Sequence, residues 1–151
     1  MLFRGNHQSR ALEKSLQLLR IPYHLTGGTA FLERAEVKDA LAWLRLVANA
    51  DDDAAFLRSV ASPARGIGGT SLAKLAELAQ QHHLSLDGAA RQMSILKQLQ
   101  PRIAAALGEF TGIVDRLRDD AERMPAKDLV LALAERSGML EAFRAMSKDK
   151  A

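Results

Sequence analysis

Apolar residues recur at helical spacing along most of the chain from residue 34 onward. Val37, Leu41, Leu44 and Val47 follow each other at intervals of three or four residues with Trp43 beside them, which predicts a helix with one buried face. The same spacing predicts further helices whose core residues are Phe56, Leu57 and Val60; Leu72, Leu75 and Leu78; Ile103, Leu107, Phe110, Val114 and Leu117; and Leu129, Val130 and Leu133.

Helix ends are marked by short local signals. Asp51, Asp52 and Asp53 precede an apolar run, and three acids at a helix N-terminus favour capping over metal binding. Gly108 and Gly112 lie one turn apart in the longest predicted helix. Because a mid-helix glycine costs about 1 kcal/mol relative to alanine, their presence predicts close approach of a second helix.

The first 28 residues have a different pattern. Residues 2–3 and 23–26 are short apolar stretches typical of strands, and residues 9–20 have the period of a helix. Strand–helix–strand is half of an α/β unit, and no parent sheet follows in the sequence. We therefore expect residues 1–28 to belong to a neighbouring domain.

The most distinctive stretch is residues 62–70, Ser-Pro-Ala-Arg-Gly-Ile-Gly-Gly-Thr, between two predicted helices. Pro63 stops the first helix, and the glycines allow a sharp turn with bare backbone. The next helix is predicted to start near Gly69 or Thr70, so its free N–H groups point into the loop and suit an anion. Glycines between helices are more often only a turn, so the loop alone leaves that alternative open.

Charge raises the case for an anion. The net charge is +3, and residues 1–75 hold all of it, with ten Lys or Arg against seven Asp or Glu. Arg58, Arg65 and Lys74 lie on or near the loop, and no acidic residue stands between them. This basic stretch predicts a nucleic-acid backbone phosphate as the target.

Composition excludes several classes. The chain has 151 residues, 48% of them hydrophobic, which is enough for an ordinary folded domain. It has no cysteine, which excludes disulfides and thiolate metal sites and fits a cytosolic protein. No apolar run approaches the ~20 residues that cross a bilayer, and we expect no signal peptide and no membrane partner.

The common catalytic motifs are absent. The sequence has no G-x-x-x-x-G-K-[ST] phosphate loop, no H-E-x-x-H and no Ser/His/acid grouping. His82 and His83 are adjacent and point to different faces of a helix, which favours a solvated helix end over metal ligation. We expect neither a catalytic residue nor a metal site, and we do not expect this chain alone to be an active enzyme.

Residues 3–10 read Phe-Arg-Gly-Asn-His-Gln-Ser-Arg. This stretch is similar to the motif F/Y-R-x-N-x-Q-S-R of superfamily 1 DNA helicases, and through it the chain resembles the Rep/UvrD/PcrA family. The likeness is dense over the first 75 residues and looser beyond. It continues through residues 21–23, 27–34, 36–41, 44–46, 52–56 and 63–68.

The resemblance implies a fold and its division. It implies a mainly α protein, a multi-helix accessory 2B-like domain preceded by a short strand–helix–strand remnant of an α/β motor subdomain. Residues 1–33 would be the end of motor subdomain 2A, residues 34–147 the 2B subdomain, and residues 148–151 a polar tail. In the family, 2B swings as a rigid body against the motor, and glycines near residues 27–28 would suit that hinge.

The resemblance also implies a function. The chain would be the duplex-binding and regulatory 2B subdomain of an ATP-dependent 3′–5′ DNA helicase. A glycine-isoleucine-glycine loop would lie on duplex phosphates, and the first motif would touch single-stranded DNA within the complete motor through Arg4 and Asn6. The predicted duplex contacts are Arg58, Arg65, Gly66, Ile67, Gly68, Gly69, Thr70 and Lys74.

The family likewise implies partners and cofactors. This chain would carry no cofactor itself, whereas the full-length helicase would use ATP and magnesium. Its partners would be double-stranded DNA, duplex/single-strand junctions, the remaining motor subdomains 1A, 1B and 2A, and replication or repair proteins, in the bacterial cytoplasm at the nucleoid.

Two alternatives remain open. The helices could form a protein-docking or autoinhibitory module of the helicase, with the exposed faces of residues 85–123 binding a partner and DNA contact only incidental. An independent enzyme is the weakest alternative, because the phosphate loop is missing.

Overall fold

The computed structural model describes residues 6–24 and 31–148, and these ranges are mainly helical and contain no strand. A short 3₁₀ turn spans Phe31–Glu33. The helices are α1 (Asn6–Leu18), α2 (Ala35–Ala48), α3 (Asp53–Ala61), α4 (Gly69–Gln81), α5 (Leu86–Ala89), α6 (Met93–Leu96), α7 (Pro101–Ala121), α8 (Ala126–Arg136) and α9 (Met139–Lys148). Within the described ranges, no helix combines the length and hydrophobicity that a membrane span needs.

The chain divides into two compact units, residues 1–38 and residues 39–151. In the first unit, α1 ends with Ile21 N donating to Leu16 O at 2.9 Å. Gln17 Nε2 then donates to Tyr23 Oη at 3.2 Å.

The predicted strand–helix–strand remnant is not supported. Residues 21–24 form no regular secondary structure, and residues 2–3 and 25–26 lie outside the described ranges. A strand needs a neighbour to complete its hydrogen-bond ladder, and the described part of the chain offers none. The helix between the two predicted strands is present, shifted toward the N-terminus.

In the second unit, α7 is the central helix of the core. Its inward face is the predicted one, and every member is buried. Phe110 stands at the middle of α7, with its ring centroid 5.1 Å from that of Trp43 on α2 and 5.2 Å from that of Phe56 on α3. These tilted and edge-to-face contacts are the geometry that aromatic pairs prefer. The buried face of α7 is Ile103, Leu107, Phe110, Val114 and Leu117.

The predicted buried face of α2 was partly wrong. Leu41 is 41% exposed, whereas Ala42, Trp43 and Leu46 are buried and Leu44 packs against the core from its edge. The indole has the largest apolar surface on this helix, and burying it gains more than burying a leucine. The helix is therefore rotated toward Trp43.

Two helix starts are fixed by side-chain caps. Asp52 caps α3, as predicted, by accepting a hydrogen bond from Ala55 N at 2.9 Å. That bond lowers the pKa of Asp52, with a smaller contribution from Arg45. Ser85 caps the short helix α5 by accepting a hydrogen bond from Gly88 N.

Three further predictions of packing were wrong. Leu57 is 42% exposed and Val130 is 44% exposed, whereas Phe56, Val60 and Leu133 of the same two helices are buried. Among the described residues, no other helix approaches Gly108 or Gly112. A Cβ at Gly108 would meet nothing within 4 Å, and one at Gly112 would meet only Arg116 of the same helix.

A buried carboxylate ties α2, α5 and α7 together. Asp87 is 2% exposed and accepts hydrogen bonds from Arg91 and Arg118. Arg118 also donates to Leu46 O at 3.0 Å, close to the C-terminus of α2. Burial alone would lower the pKa of Arg91, but hydrogen bonds to Asp87 and Asp115 raise it. The carboxylate is thus fully paired, as a buried charge must be.

The aromatic centre of the core gives a stability prediction. We expect Phe110→Ala to lower the free energy of unfolding by about 3–5 kcal/mol, because it removes the ring that contacts both Trp43 and Phe56. The matched control is Phe143→Ala, which removes the same ring from a site 36% exposed and should cost about 1 kcal/mol or less. Urea unfolding followed by circular dichroism measures both. Equal losses would show that Phe110 is not central to the core.

Candidate nucleic-acid interface

The loop between α3 and α4 presents bare backbone to solvent. α3 ends at Ala61, and α4 begins at Gly69 with Gly68 as its N-cap, both as predicted. Gly68 has extended backbone (φ −81°, ψ 166°) and provides no side-chain cap. Among the described residues, no acceptor pairs with the N–H groups of Gly68, Gly69 or Thr70, and all three residues are exposed. The helix start therefore has free donors that face solvent.

The glycines of the loop have different roles. A Cβ at Gly68 or Gly69 would meet nothing within 4 Å, so the protein itself leaves room for a side chain at either position. Gly66 has φ +71°, a left-handed conformation that other residues adopt only with strain. Ile67 packs partly against the core and anchors the loop between the two exposed stretches. The protein leaves open space where a ligand could approach the backbone.

Arg65 points into the protein rather than toward solvent. Its guanidinium lies 5.0 Å from the ring centroid of Trp43 and 5.4 Å from that of Phe110. It donates to three backbone oxygens: those of Ser59 at 3.2 Å, Pro63 at 2.7 Å and Ser137 at 2.8 Å. Burial lowers the pKa of Arg65 to about 10, so the side chain stays charged at neutral pH.

This placement does not match the expectation that Arg65 binds a phosphate directly. The guanidinium has five N–H donors, and the internal contacts already engage both of its terminal nitrogens. The carbonyl of Ser137 belongs to the C-terminal cap of α8, where a cation also complements the helix dipole. Arg65 therefore holds the loop in position from the protein interior.

The start of the loop is braced from the other side. Trp43 Nε1 donates to Ser62 O at 3.0 Å, and Ser62 Oγ donates to Asp39 Oδ2 at 2.7 Å. The same carboxylate accepts from Arg58 Nε at 2.7 Å. These bonds hold the end of α3 against α2. The start of the loop is therefore held by hydrogen bonds within the protein.

The other two predicted basic residues already have acidic partners. Arg58 pairs with Asp39, and Lys74 pairs with Glu77 at 3.0 Å on the exposed face of α4. Each partner cancels much of the local positive charge. Neither side chain lies on the loop itself, so the basic patch is weaker than the sequence indicates.

A basic residue that the sequence did not single out lies beside the loop. Arg102, the second residue of α7, places Nη2 3.0 Å from the position that a Cβ on Gly66 would occupy. The side chain is exposed. The spacing of 36 positions between Gly66 and Arg102 carries no local signal, so only the fold brings them together.

Comparison with known proteins assigns the chain. A family model for the UvrD-like helicase C-terminal domain matches residues 1–99. The chain belongs to this family. The ATP-dependent DNA helicase Rep of Escherichia coli (strain K12) is 43% identical over 144 residues, which cover 93% of this chain and 21% of Rep.

Two other helicases are comparably similar. DNA helicase II of the same organism is 43% identical over 125 residues, which cover 83% of this chain and 17% of that protein. The ATP-dependent DNA helicase PcrA of Bacillus subtilis (strain 168) is 36% identical over 145 residues, which cover 96% and 20% respectively. The chain thus spans about a fifth of the length of these helicases.

The first three residues of the first family motif, residues 3–5, lie outside the described ranges. Arg4 is one of the residues the structure does not describe, and Asn6 begins α1 without a described side chain. The predicted contact of these two residues with single-stranded DNA stays a prediction. The glycine pair at residues 27–28, predicted as a hinge between the 2B subdomain and the motor, also lies outside the described ranges.

The role of Arg65 can be tested by stability alone. We expect Arg65→Ala to lower the free energy of unfolding by about 2–3 kcal/mol, because three partly buried carbonyls lose a charged donor. Arg65→Lys should recover little, since an ammonium lacks the planar fork that reaches all three oxygens. Arg116→Ala, on the exposed face of α7, is the matched control and should change stability by less than about 0.5 kcal/mol. If thermal unfolding were the same for Arg65→Ala and Arg116→Ala, Arg65 would not be a structural residue.

Proposed function

We propose that this chain is the duplex-binding and regulatory 2B subdomain of an ATP-dependent 3′–5′ DNA helicase. The observation that carries the proposal is the set of exposed, unpartnered amides at Gly68, Gly69 and Thr70 within the described structure. The relatives, which are named as ATP-dependent DNA helicases, support DNA as the ligand.

The mechanism of contact follows from the backbone. Free N–H groups at a helix start carry partial positive charge and can donate hydrogen bonds to phosphate oxygens. The loop of Gly66, Ile67 and Gly68 would lie on the sugar–phosphate backbone of the duplex, and the start of α4 would bind a phosphate. Phosphate contacts carry no sequence information, so binding would be independent of sequence.

The remaining predicted contacts have indirect roles in this proposal. Arg65 holds the loop in shape through its internal hydrogen bonds. Arg58 and Lys74 lie near the surface with acidic partners and add little to the attraction of DNA. With few free charges, the isolated chain should bind duplex DNA weakly, and the affinity should fall as salt rises.

The proposal includes a division of the chain. Residues 1–33 would complete motor subdomain 2A, residues 34–147 would form 2B, and residues 148–151 would be a polar tail. Arg4 and Asn6 would contact single-stranded DNA only within the complete motor. Movement of 2B against the motor would regulate unwinding.

ATP and magnesium would be cofactors of the full-length helicase and are not expected on this chain. The sequence has no G-x-x-x-x-G-K-[ST] loop, and the described residues contain no cluster of three metal-ligating side chains. The nucleotide would be bound by ATPase motifs of the complete helicase that lie outside this chain. The proposed partners are therefore double-stranded DNA, duplex/single-strand junctions, motor subdomains 1A, 1B and 2A, and replication or repair proteins, in the bacterial cytoplasm at the nucleoid.

The docking alternative has narrower support. Within residues 85–123, Met93 is the single large hydrophobic side chain with high exposure, at 66%. One such side chain is common on a protein surface and does not make a binding patch. The loop therefore supports the DNA-binding proposal better than residues 85–123 support docking.

A charge placed at the helix start tests the proposal. We expect Gly68→Glu to reduce duplex affinity at least tenfold, because its carboxylate would occupy the space of the phosphate and repel it. Gly68 has extended backbone and open space around its Cβ position, so the fold should be unaffected. Fluorescence anisotropy with a labelled duplex, titrated at salt concentrations from about 50 to 200 mM, measures the affinity.

Gly68→Gln is the matched control for this variant. It has the same size and shape without the charge and should bind much more tightly than Gly68→Glu. Equal affinities for wild type and Gly68→Glu, in a folded protein, would exclude the helix start as the phosphate site.

A further inference from the structure

The first observation is the position of Arg102 relative to the loop. Its Nη2 atom would stand 3.0 Å, and its Cζ atom 3.8 Å, from a Cβ built on Gly66. The guanidinium therefore lies directly against the backbone of the loop. Any side chain at position 66 would displace it, so Gly66 leaves room for Arg102 as well as meeting the demand of its own φ angle.

The second observation is that Arg102 has no hydrogen-bond or ion-pair partner among the described residues. Within the described part of the chain, no carboxylate or carbonyl accepts a hydrogen bond from its guanidinium, and the side chain is exposed. The three predicted basic residues differ in this respect. Arg65 donates to three carbonyls, Arg58 pairs with Asp39 and Lys74 pairs with Glu77.

The third observation is that Arg102 is unfavourably placed for stability. It follows Pro101 in the first turn of α7, a helix of 21 residues with no acidic residue in that turn and no side-chain cap. A cation at this end of a helix is repelled by the positive end of the helix dipole. A residue that opposes the helix dipole and has no compensating contact is typical of a functional position.

We propose that Arg102 is the side-chain phosphate ligand of the loop. The guanidinium would bind a duplex phosphate next to Gly66 as a bidentate donor, while the amides of Gly68, Gly69 and Thr70 bind from the start of α4. This rests on the proposed function, since it concerns the same duplex and the same loop. It transfers the charged contact expected of Arg65 to a residue on α7.

The test compares two arginines of the same helix. We expect Arg102→Gln to make the slope of log affinity against log salt shallower by about 0.9, the value for one lost phosphate contact. Arg116→Gln removes the same charge from an exposed site 14 residues along α7, about 21 Å away, and should leave the slope close to wild type. Arg102→Lys should keep the slope but bind more weakly, because it loses the bidentate geometry.

A second readout separates binding from stability. Arg102→Gln should leave the melting temperature unchanged or higher, because it removes a cation from the positive end of a helix. A lower melting temperature together with weaker binding would identify Arg102 as a structural residue and overturn the proposal.

The outcomes distinguish this inference from the proposed function. If Arg102→Gln binds with the wild-type slope while Gly68→Glu fails to bind, Arg102 is not a ligand and the loop still is. If Arg102→Gln and Arg116→Gln weaken binding equally, only the overall charge matters and the inference is wrong. If Gly68→Glu binds like wild type, the proposed function itself fails.

Discussion

The contact of the Arg65 guanidinium with the rings of Trp43 and Phe110 is the constraint on which the candidate site depends. Removing a cation from water costs free energy unless hydrogen bonds and the negative faces of aromatic rings replace its hydration. Here both are present, since three carbonyls accept from the guanidinium and the two rings lie beneath it. Because one of those carbonyls belongs to Ser137 and another to Pro63, the same charge joins the loop to the end of α8. The loop has its shape because its one arginine is turned inward.

The inward orientation of Arg65 determines which groups of the loop are available to a ligand. With the arginine engaged below, the exposed groups are backbone amides at Gly68, Gly69 and Thr70, which act through partial charges over a short range. Such donors recognise any phosphate and cannot distinguish base sequences. A rigid, preformed arrangement also loses little entropy on binding. A helicase that must move along DNA of every sequence would need a contact of this kind, strong enough to orient the duplex and weak enough to release it.

Sequence alone predicted the elements whose signals are local. Asp52 as a cap and Gly69 as the start of α4 were both confirmed, because capping and chain reversal depend on neighbouring residues. Exposure of Leu41 could not be predicted, because competition with Trp43 for the core is settled by packing. The direction of Arg65 was equally hidden, since its partner Ser137 is 72 residues away. Arg102 was missed for the same reason.

The core and the candidate interface therefore share residues and helices. Phe110 supports the guanidinium of Arg65, and it stands on the helix whose first turn carries Arg102, eight residues and about 12 Å earlier. The loop and the helix that carries Arg102 are thus attached to a common aromatic centre. If the loop and Arg102 both bound phosphates, as proposed, two contacts would orient the duplex, whereas a single contact would only attract it. Rigid packing beneath the loop is in this way a requirement of the proposed function as well as of stability.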